Sequence, residues 1–553
     1  MSERGKASRL GIKKHSEMPA FFLFAVLLLG GIVGMAEKVS IVGVPETQEE
    51  AKMRGISHPP IHINGNADFA NQAASEGWAG NGTAENPYII EEYEIDANEG
   101  SYCIWIRNTD VYFVIRNCVL WNATGFSAPY GCGIVLANVM NGIIENNTVR
   151  EFSYKGIYLD SSEKIVITSN NVSVSRGTYG IDFWKSHNST ISWNNISTGQ
   201  CGISLYSNSS NNIIAFNEIS YSEDGIYLAE AINTTLFNNK MINCGIVFGG
   251  SDIANWNTHE IDMTNTVNGK AIYYYKNLDD GTMPLEAGQI ILANCTNLTV
   301  AHLNITNATA GIQLCFCRNC TIMENNLSGH AEGGILLIHS NSNTIIRNNV
   351  YENGYGGILL SFSTDNNLTE NIISNSTMWC GIDLYFSTNN SITNNDVSNN
   401  SNYGISVEFS SFNIIASNLF YGNVKYAVRI AYSSTSNSIY HNTFIANGAT
   451  ALRYLSQGVS NDTPNGAKGV NGNSQAYDSV GGNYWYDTTT NEGNYWSNWD
   501  GNGWGTPDAY PIDGNAGASD WYPLGSPVSE FSEITLWVFA AIILLCLRRF
   551  RRK

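Results

Sequence analysis

A Gly-Ile dipeptide recurs along this chain every 22 to 24 residues, and this repeat constrains the fold more than any other feature. The glycines of the repeat are Gly133, Gly156, Gly180, Gly202, Gly225, Gly311, Gly334, Gly357, Gly381 and Gly404, and Ala427-Val428 stands in the next position. A fixed short period over a stretch of this length indicates one small structural unit that is stacked many times.

The unit from Gly156 to Asn171 shows what each repeat must be. Ile157 and Leu159 alternate with Tyr158 and Asp160, and a second short apolar run follows. Short β-branched runs separated by Ser, Asn and Gly are typical of strands. The repeat is too short for a propeller blade, and it lacks the leucines and the helical half of a leucine-rich repeat. The sequence therefore predicts an all-β coil of three short parallel strands per turn, stacked at about 4.8 Å around one continuous apolar column.

Three further columns keep step with the glycines and predict side-chain ladders along the stack. The Asn column is Asn146, Asn170, Asn194, Asn217, Asn238, Asn325, Asn348, Asn371, Asn394, Asn418 and Asn442, with His302 in the same position one turn before Asn325. A ring column reads Phe316, His339, Phe362, Phe386, Phe409 and Tyr432, and the column after it reads Cys317, Ser340, Ser363, Ser387, Ser410 and Ser433. Amides, rings and hydroxyls at strand spacing can bond or stack along the axis, so we expect all three columns to hold turns together.

The stack needs closed ends, because unpaired strand edges promote aggregation. We assign residues 60–102 to an N-terminal cap, residues 103–447 to the β-helix and residues 448–524 to the last turns and an aromatic C-terminal cap. The period breaks between Gly245 and Gly311, which predicts an irregular insertion over residues 249–295.

Both termini predict a protein that leaves the cytoplasm. Residues 1–36 read as an export signal, in which Lys6, Arg9, Lys13 and Lys14 precede an apolar run and small residues stand near Ala36, although an uncleaved anchor is the alternative. Residues 37–59 and 525–533 are linkers, and residues 534–553 form a short apolar tail with a basic stop. The tail is either a membrane anchor or a sorting signal, because its 14 apolar residues fall short of a full span. We expect the protein at the cell surface, tethered to the membrane by its C-terminus.

Composition supports an extracellular glycoprotein that does not bind nucleic acid. The net charge is −19, and no basic stripe is present. Asn-x-Ser/Thr sequons are dense, which predicts glycosylation. The candidate acceptors are Asn81, Asn122, Asn171, Asn195, Asn233, Asn297, Asn304, Asn367 and Asn375.

A disulfide is the preferred interpretation of one cysteine cluster. Cys295 and Cys320 occupy the same position of successive turns when Asn294-Cys295-Thr296 is aligned with Asn319-Cys320-Thr321, so strand spacing would bring them within bridging distance. The alternatives are packed thiols or a thiolate metal site that includes Cys317.

Several segments together resemble the NosD-like, or CASH-domain, right-handed parallel β-helix family, in its archaeal surface-protein branch. The resemblance rests on the repeated turns, on the opening Gly82 to Glu91 and on the closing aromatic segments between Asn494 and Leu524. It implies a single-stranded right-handed parallel β-helix over most of residues 61–524. Relatives include copper-site maturation factors and proteins of carbohydrate binding or hydrolysis, and no agreed catalytic set transfers to this chain.

The residues offer little for a metal cofactor. Relatives close with an Asp-rich loop that resembles a calcium site, but here Asp500, Asn502 and Asp508 supply few hard oxygen ligands. We therefore predict no cofactor, with Ca²⁺ at those residues as the alternative. Copper binding is not expected, because the nine histidines are scattered and no His-x-x-His pair occurs.

Two pairs of acids on outward strand positions are catalytic candidates. Asp160 with Asp182, and Asp383 with Glu408, lie on adjacent turns, and a glycoside hydrolase needs two carboxyl groups roughly 5–9.5 Å apart. Apart from Lys185, we expect no Arg or Lys beside either pair. The alternative is that these are solvated surface acids.

The same outward face of the first half carries a candidate binding patch, in which aromatic and hydrogen-bonding residues interleave as sugar recognition requires. Its rings are Tyr158, Trp184, Tyr206 and Tyr227. Ordinary surface aromatics are the alternative.

We therefore predict a tethered surface protein that binds glycan or other cell-envelope material without catalysis. The first alternative is a polysaccharide hydrolase or lyase that acts on the exposed strand face. The second is a NosD-like accessory to metal-site maturation.

Overall fold

The computed structural model describes residues 55–448, apart from 99, 174–178 and 282, and short stretches between 475 and 523. Nearly every element is a short parallel strand, and three strands make one turn of a right-handed parallel β-helix, as predicted. The turns form two successive stacks, an N-terminal stack over residues 56–267 and a C-terminal stack from residue 270 onwards.

The N-terminal stack consists of three parallel sheets. Sheet 1 contains Ile61–Asn64, Tyr102–Thr109, Cys132–Val139, Lys155–Asp160, Tyr179–Trp184, Cys201–Tyr206, Asp224–Ala229 and Ile246–Gly249. Sheet 2 contains Tyr88–Glu91, Phe113–Arg116, Gly142–Glu145, Val166–Thr168, Thr190–Ser192, Ile213–Ala215, Thr235–Phe237 and Glu260–Ile261. Sheet 3 contains Ile56–Ser57, Tyr93–Asp96, Val119–Trp121, Thr148–Arg150, Asn171–Ser173, Asn195–Ser197, Glu218–Ser220, Lys240–Ile242 and Thr266–Val267.

The C-terminal stack repeats this plan. Sheet 4 contains Lys270–Lys276, Gln289–Ala293, Ala310–Cys315, Gly333–Ile338, Gly356–Ser361, Cys380–Tyr385, Tyr403–Glu408, Tyr426–Ala431 and Ala476–Asp478. Sheet 5 contains Thr299–Ala301, Thr321–Met323, Thr344–Ile346, Asn367–Thr369, Ser391–Thr393, Ile414–Ala416 and Ser438–Tyr440. Sheet 6 contains Asn304–Thr306, Asn326–Ser328, Asn349–Tyr351, Ile372–Ser374, Asp396–Ser398, Leu419–Tyr421, Thr443–Ile445 and Tyr495–Trp496, and Tyr510–Pro511 pairs antiparallel with Ser519–Asp520.

A helix closes the first turn, which the all-β prediction omitted. Helix α1, Asn66–Glu76, buries Phe69 and Ala73, and the Phe69 ring stacks on Tyr88 with 5.0 Å between ring centroids. With only these two apolar residues facing the core, the helix has almost no periodic signal in the sequence. The segment predicted as a cap, residues 60–102, also supplies the first strands of sheets 1 to 3.

The chain reverses between the two stacks. Thr266–Val267 pairs antiparallel with the start of Lys270–Lys276 across the turn at Asn268-Gly269, where both residues have positive φ. Sheet 3 and sheet 4 thereby join into one 18-stranded sheet. The irregular segment predicted over residues 249–295 thus holds a short helix α2, Ala254–Asn257, this hairpin and the first two strands of sheet 4.

This reversal gives two hydrophobic cores where we predicted one continuous column. In Gln289–Ala293, the side chains of Ile290 and Leu292 enter the core of the C-terminal stack, whereas Ile291 and Ala293 enter the core of the N-terminal stack. Alternate residues of a strand point to opposite faces, so the outer face of sheet 4 covers the end of the first core.

The Asn ladder exists, but four predicted positions are displaced by one residue. The ladder residues are Asn147, Asn170, Asn194, Asn217, Asn239, Asn265 and then Asn325, Asn348, Asn371, Asn395, Asn418, Asn442 and Asn494. The residue just before the ladder position has positive φ, and this is where Asn146, Asn238, Asn394 and His302 lie. In the turn of His302, the ladder position itself is occupied by Leu303.

The ring column is stacked as predicted, with adjacent centroids 4.6 to 5.3 Å apart. The hydroxyl column is also present, but its last residue is Ser434 and not Ser433. A second amide ladder, which we did not predict, runs through Asn343, Asn366, Asn390, Asn413, Asn437 and Asn483.

Candidate functional site

The strand register aligns the candidate acids of the C-terminal stack as the repeat predicted. On the outer face of sheet 4, Asp383 lies opposite Ser406, and Ser406 lies opposite Arg429. Two residues further along the same strands, Tyr385 lies opposite Glu408. Asp383 and Glu408 therefore occupy neighbouring strands on one face.

A cavity of about 330 Å³ lies over this face. Leu336 and Leu359 line it as apolar residues, and Tyr355 and Trp379 line it as aromatic residues from the turns that precede two strands. The Tyr355 and Trp379 rings are stacked with 6.2 Å between centroids. The cavity thus combines aromatic surface with carboxyl groups of Glu332, Asp383 and Glu408.

The two acids of this cavity have different surroundings. Burial raises the pKa of Asp383 to about 7, and the nearby Glu408 raises it further. Hydrogen bonds from Ser406 and Trp379 and the charge of Arg429 act in the opposite direction and lower this pKa. Glu408 forms an ion pair with Arg429, and both side chains are mostly buried, at 17% and 14% exposure. The expectation that no Arg or Lys accompanies this pair is wrong, because Arg429 stands in the same column two turns beyond Asp383.

Carboxyl groups of the N-terminal stack approach the same cavity. Burial raises the pKa of Glu332, and the charges of Asp224 and Glu223 raise it further. Burial also raises the pKa of Asp224, with Glu223 as the second cause. Sequence reasoning missed this group, because Glu332 and Asp224 are far apart in the chain and meet only at the junction of the stacks.

The acids of the N-terminal stack are placed differently from the prediction. Asp182 is fully buried, and its Oδ2 lies 2.5 Å from Lys155 Nζ, so it is not a solvated surface acid. Asp160 lies opposite Trp184 on the neighbouring strand, and its Oδ1 accepts a hydrogen bond from Ser161. Lys155 was missed because it precedes the repeat glycine, a position that we did not assign to the outer face.

The predicted aromatic patch is closed around that lysine. Lys155 Nζ lies 3.8 Å from the Tyr158 ring centroid and 5.8 Å from that of Tyr206. Tyr158 is buried, which contradicts the predicted exposure, while Trp184, Tyr206 and Tyr227 are half-buried. Because the ammonium group of Lys155 occupies the space beside Tyr158 and Tyr206, these two rings of the patch are not an open platform for a sugar face.

A polar depression of about 860 Å³ lies elsewhere on the N-terminal stack. Its lining includes Asn66, Asp110, Glu163, Lys185 and His187. Sequence reasoning did not find it, because helix α1 contributes Asn66 to it and that helix was not predicted.

The cysteine cluster has a different register from the predicted one. Thr296 lies opposite Arg318 and Thr299 opposite Thr321, so Cys295 lies beside Cys317 and Cys320 lies beside Leu298. The Cys317 thiol donates to the carbonyls of Leu292 and Cys315, and all three cysteines are free and fully buried. The predicted Cys295–Cys320 alignment is therefore wrong by three residues.

No group of three His, Cys, Asp or Glu side chains in the described part of the chain is arranged to hold a metal ion. His339 stacks between Phe316 and Phe362, and burial lowers the pKa of His330 to about 4. The calcium candidates Asp500, Asn502 and Asp508 lie outside the described residues.

The sequon asparagines are placed where a glycan has room. Asn122 is half-buried and the other eight candidates are exposed: Asn81, Asn171, Asn195, Asn233, Asn297, Asn304, Asn367 and Asn375. Glycosylation itself stays a prediction. The export signal and the C-terminal tail fall outside the described residues, within which no helix is long and apolar enough to span a membrane.

Several solved structures are similar in fold. The periplasmic alginate epimerase AlgG is 13% identical, with a TM-score of 0.23, over 69% of this chain and 82% of that chain. The alginate lyase from Paenibacillus sp. str. FPU-7 is 11% identical, with a TM-score of 0.23, over 59% and 97%. The AlgE6 A-module of the Azotobacter vinelandii mannuronan C-5 epimerase is 12% identical, with a TM-score of 0.24, over 63% and 86%. At these values the likeness carries no information about activity.

Sequence comparison identifies the family. No curated protein matches the chain. The family model described as "Periplasmic copper-binding protein (NosD)" matches residues 61–279 and 263–490. Together these two matches span most of the 553 residues. The first covers most of the N-terminal stack, and the second covers most of the C-terminal stack. The chain therefore belongs to the NosD family.

Proposed function

We propose that this protein binds glycan or related cell-envelope material in the cavity on the outer face of sheet 4. The observation that carries the proposal is the cavity itself, in which the rings of Tyr355 and Trp379 stand beside the carboxyl groups of Asp383 and Glu408. Apolar walls with a few fixed polar groups are typical of small-ligand sites, and aromatic rings complement the apolar faces of sugars.

Two other aromatic surfaces of the protein are less suited to bind a sugar. The aromatic patch of the N-terminal stack is filled by Lys155. The last four rings of the ring column, from Phe362 to Tyr432, are exposed, but they stack face to face along the axis and therefore present edges, not faces, to solvent. The cavity instead places the Tyr355 and Trp379 rings beside apolar residues and carboxyl groups in one concave site, which is the combination that sugar binding requires.

The test is a glycan-array screen of the full-length protein followed by calorimetric titration of the best oligosaccharide. We expect Trp379→Ala to weaken binding about tenfold or more, since truncation of an aromatic anchor typically costs more than 1 kcal/mol. Trp193→Ala is the matched control, because Trp193 is exposed on the N-terminal stack and stacks on Phe216. Equal losses in both variants, or no loss in Trp379→Ala, would contradict the proposal.

Glycan hydrolysis or elimination is the second candidate. One observation favours it: Asp383 has a pKa near 7 while its neighbour Glu408 is paired with Arg429. Two carboxyl groups whose surroundings separate their protonation states are suited to acid and base roles. Release of reducing ends or unsaturated sugars, lost in Asp383→Asn and Glu408→Gln but kept in the exposed variant Asp365→Asn, would establish it.

Copper chemistry is not supported by the side chains in the described part of the chain, even though the family description names copper. No three candidate ligands converge there, and we derive no step through the metal. Export and tethering remain part of the proposal, supported by the periplasmic description of the family and by the apolar segments near both ends of the sequence. Cell fractionation of the intact chain and of a variant that lacks residues 534–553 tests the tether, which predicts release of the truncated protein from membranes.

A further inference from the structure

The cavity on sheet 4 has an unbalanced charge. Glu332, Asp383 and Glu408 line it, and Asp224 and Glu223 approach Glu332 from the neighbouring stack. Arg429 is paired with Glu408, and its charge also acts on Asp383.

This imbalance discriminates between ligands of different charge. Carboxyl groups that crowd together in a half-buried site disfavour each other's ionisation, and an entering cation relieves that repulsion. An entering anion, such as the carboxylate of a uronic acid, adds to it. Like-charge repulsion of this kind is a common means of excluding the wrong ligand.

The aromatic walls act in the same direction. An ammonium group is attracted to the face of a Trp or Tyr ring, and the attraction grows when the site excludes water. Trp379 is half-buried and Tyr355 is 44% exposed beside the acids, so one ligand cation can contact both a ring and a carboxylate. Arg429 already illustrates the geometry, with its guanidinium carbon 5.3 Å from the Tyr403 ring centroid.

We infer that the cavity selects glycans that carry a protonated amino group, such as deacetylated hexosamine units, over neutral and uronic-acid glycans. The inference rests on the proposed glycan-binding function and narrows its substrate class. When such a sugar is bound, its ammonium group would lie between Glu332 and Asp383 and against the Trp379 ring. The apolar face of the sugar would contact Tyr355.

Calorimetric titration of the full-length protein with three tetrasaccharides tests the inference. The probes are a glucosamine tetramer, an N-acetylglucosamine tetramer and a mannuronate tetramer, all in EDTA at pH 6. At this pH the amines are protonated, and Asp383, whose pKa is about 7 in the free protein, releases its proton as an ammonium group binds. We expect the glucosamine tetramer to bind at least about tenfold more tightly than the N-acetylated one, and the mannuronate tetramer more weakly still. Added salt should reduce the preference for the glucosamine tetramer over the N-acetylated one, because salt screens charge.

Substitutions of single acidic residues test whether the preference for the glucosamine tetramer arises in this cavity. Glu332→Gln and Asp383→Asn should each reduce the ratio between the affinities for the glucosamine tetramer and for the neutral tetramer. Glu223→Gln, an exposed residue that carries no folding risk, should do the same to a smaller extent. Glu324→Gln is the control, because Glu324 pairs with Arg347 and His302 on a different face.

The outcomes separate the two proposals. If no tetramer binds and the array is also empty, the glycan-binding function itself is wrong. If the neutral or the mannuronate tetramer binds as tightly as the glucosamine tetramer, the function stands and the selectivity is wrong. Preserved selectivity in all three charge variants would equally overturn the assignment to this cavity.

Discussion

At the scale of single residues, side-chain amides replace backbone partners inside the turns. Asn371 shows the arrangement: its Oδ1 accepts from the backbone N–H of Asn348, and its Nδ2 donates to the carbonyl of Ile345 at 2.8 Å. These groups are buried, where an unpaired donor or acceptor is costly. The same bonds recur along the ladder, so each of its asparagines stabilises the turn on either side of it.

We expect Asn371→Ala to lower the free energy of unfolding by about 2–5 kcal/mol, because it leaves a buried N–H and a buried C=O without these partners. Denaturant unfolding followed by circular dichroism measures the change. Asn349→Ala is the matched control, since its exposed amide bonds only to Asn326, and it should lose less than about 1 kcal/mol. A similar loss in both variants would show that the ladder adds no stability beyond surface bonds.

Asp383 should make stability depend on pH. Its pKa is near 7 in the folded protein and near the ordinary 3.8 when unfolded, so the folded state holds the extra proton between these values. The contribution of this group to stability therefore falls as pH rises from about 4 to about 7, and is constant above. Asp383→Asn should gain stability relative to the native protein across that window, measured by denaturant unfolding at several pH values. The free energy of unfolding of the exposed variant Asp365→Asn should change with pH in parallel with that of the native protein.

The ladder was predictable from sequence only to within one residue. Where two asparagines are adjacent, as in Asn146-Asn147, both fit the repeat, and the structure gives them different roles. The first adopts positive φ, which Asn tolerates better than most residues, and the second points inward. Period alone cannot separate these roles, because neighbouring residues share it.

At the scale of elements, the last strand of sheet 1 ends against side chains instead of another strand. The N–H of Ile246 donates to Gln289 Oε1, and its carbonyl accepts from the amides of both Gln289 and Gln313. Thr309 Oγ1 accepts in the same way from the N–H of Gly245. An open strand edge is a site for unwanted pairing, and these residues close it.

We expect Gln289→Ala to destabilise the protein more than Gln313→Ala. The first variant removes the acceptor for Ile246 N–H, whereas after the second the Ile246 carbonyl still accepts from Gln289. The difference should be about 1–3 kcal/mol, the cost of one buried unpaired group, in denaturant unfolding. Faster exchange of the Ile246 amide hydrogen in Gln289→Ala would place the effect at this edge, and unchanged exchange would argue against it.

These edge contacts could not be read from the repeat, because Gln289 and Ile246 are in different stacks. The Asn268-Gly269 dipeptide was the one available signal, since it is a preferred two-residue hairpin turn. It stands in a segment without periodic strands, and there we predicted only irregular structure. From Ala310–Cys315 to Tyr426–Ala431, by contrast, sheet 4 follows the predicted columns residue by residue.

At the scale of the whole molecule, the reversal of strand direction decides which outward residues are exposed. Ile291 and Leu359 occupy the same outward column of sheet 4. Ile291 is fully buried in the first core, whereas Leu359 lines the cavity and is half-buried. Their sequence contexts do not distinguish them, because the difference comes from the neighbouring stack.

We therefore expect Ile291→Asp to abolish stable folding or cost several kcal/mol, since it buries a carboxylate without a partner. Leu359→Asp should be tolerated much better, because its side chain reaches the cavity. Thermal unfolding and soluble yield of the two variants measure this. Equal tolerance of both would show that sheet 4 does not cover the first core.

The joint between the stacks also leaves their lengths independent. Most contacts of a turn are with the turns next to it, and the joint involves the last two turns of one stack and the opening turns of the other. Duplicating or deleting one whole repeat far from the joint would therefore move the free end by one strand spacing, about 4.8 Å, and disturb nothing at the ligand cavity. A molecule built this way is free to change its reach in small steps during evolution while its recognition site stays the same.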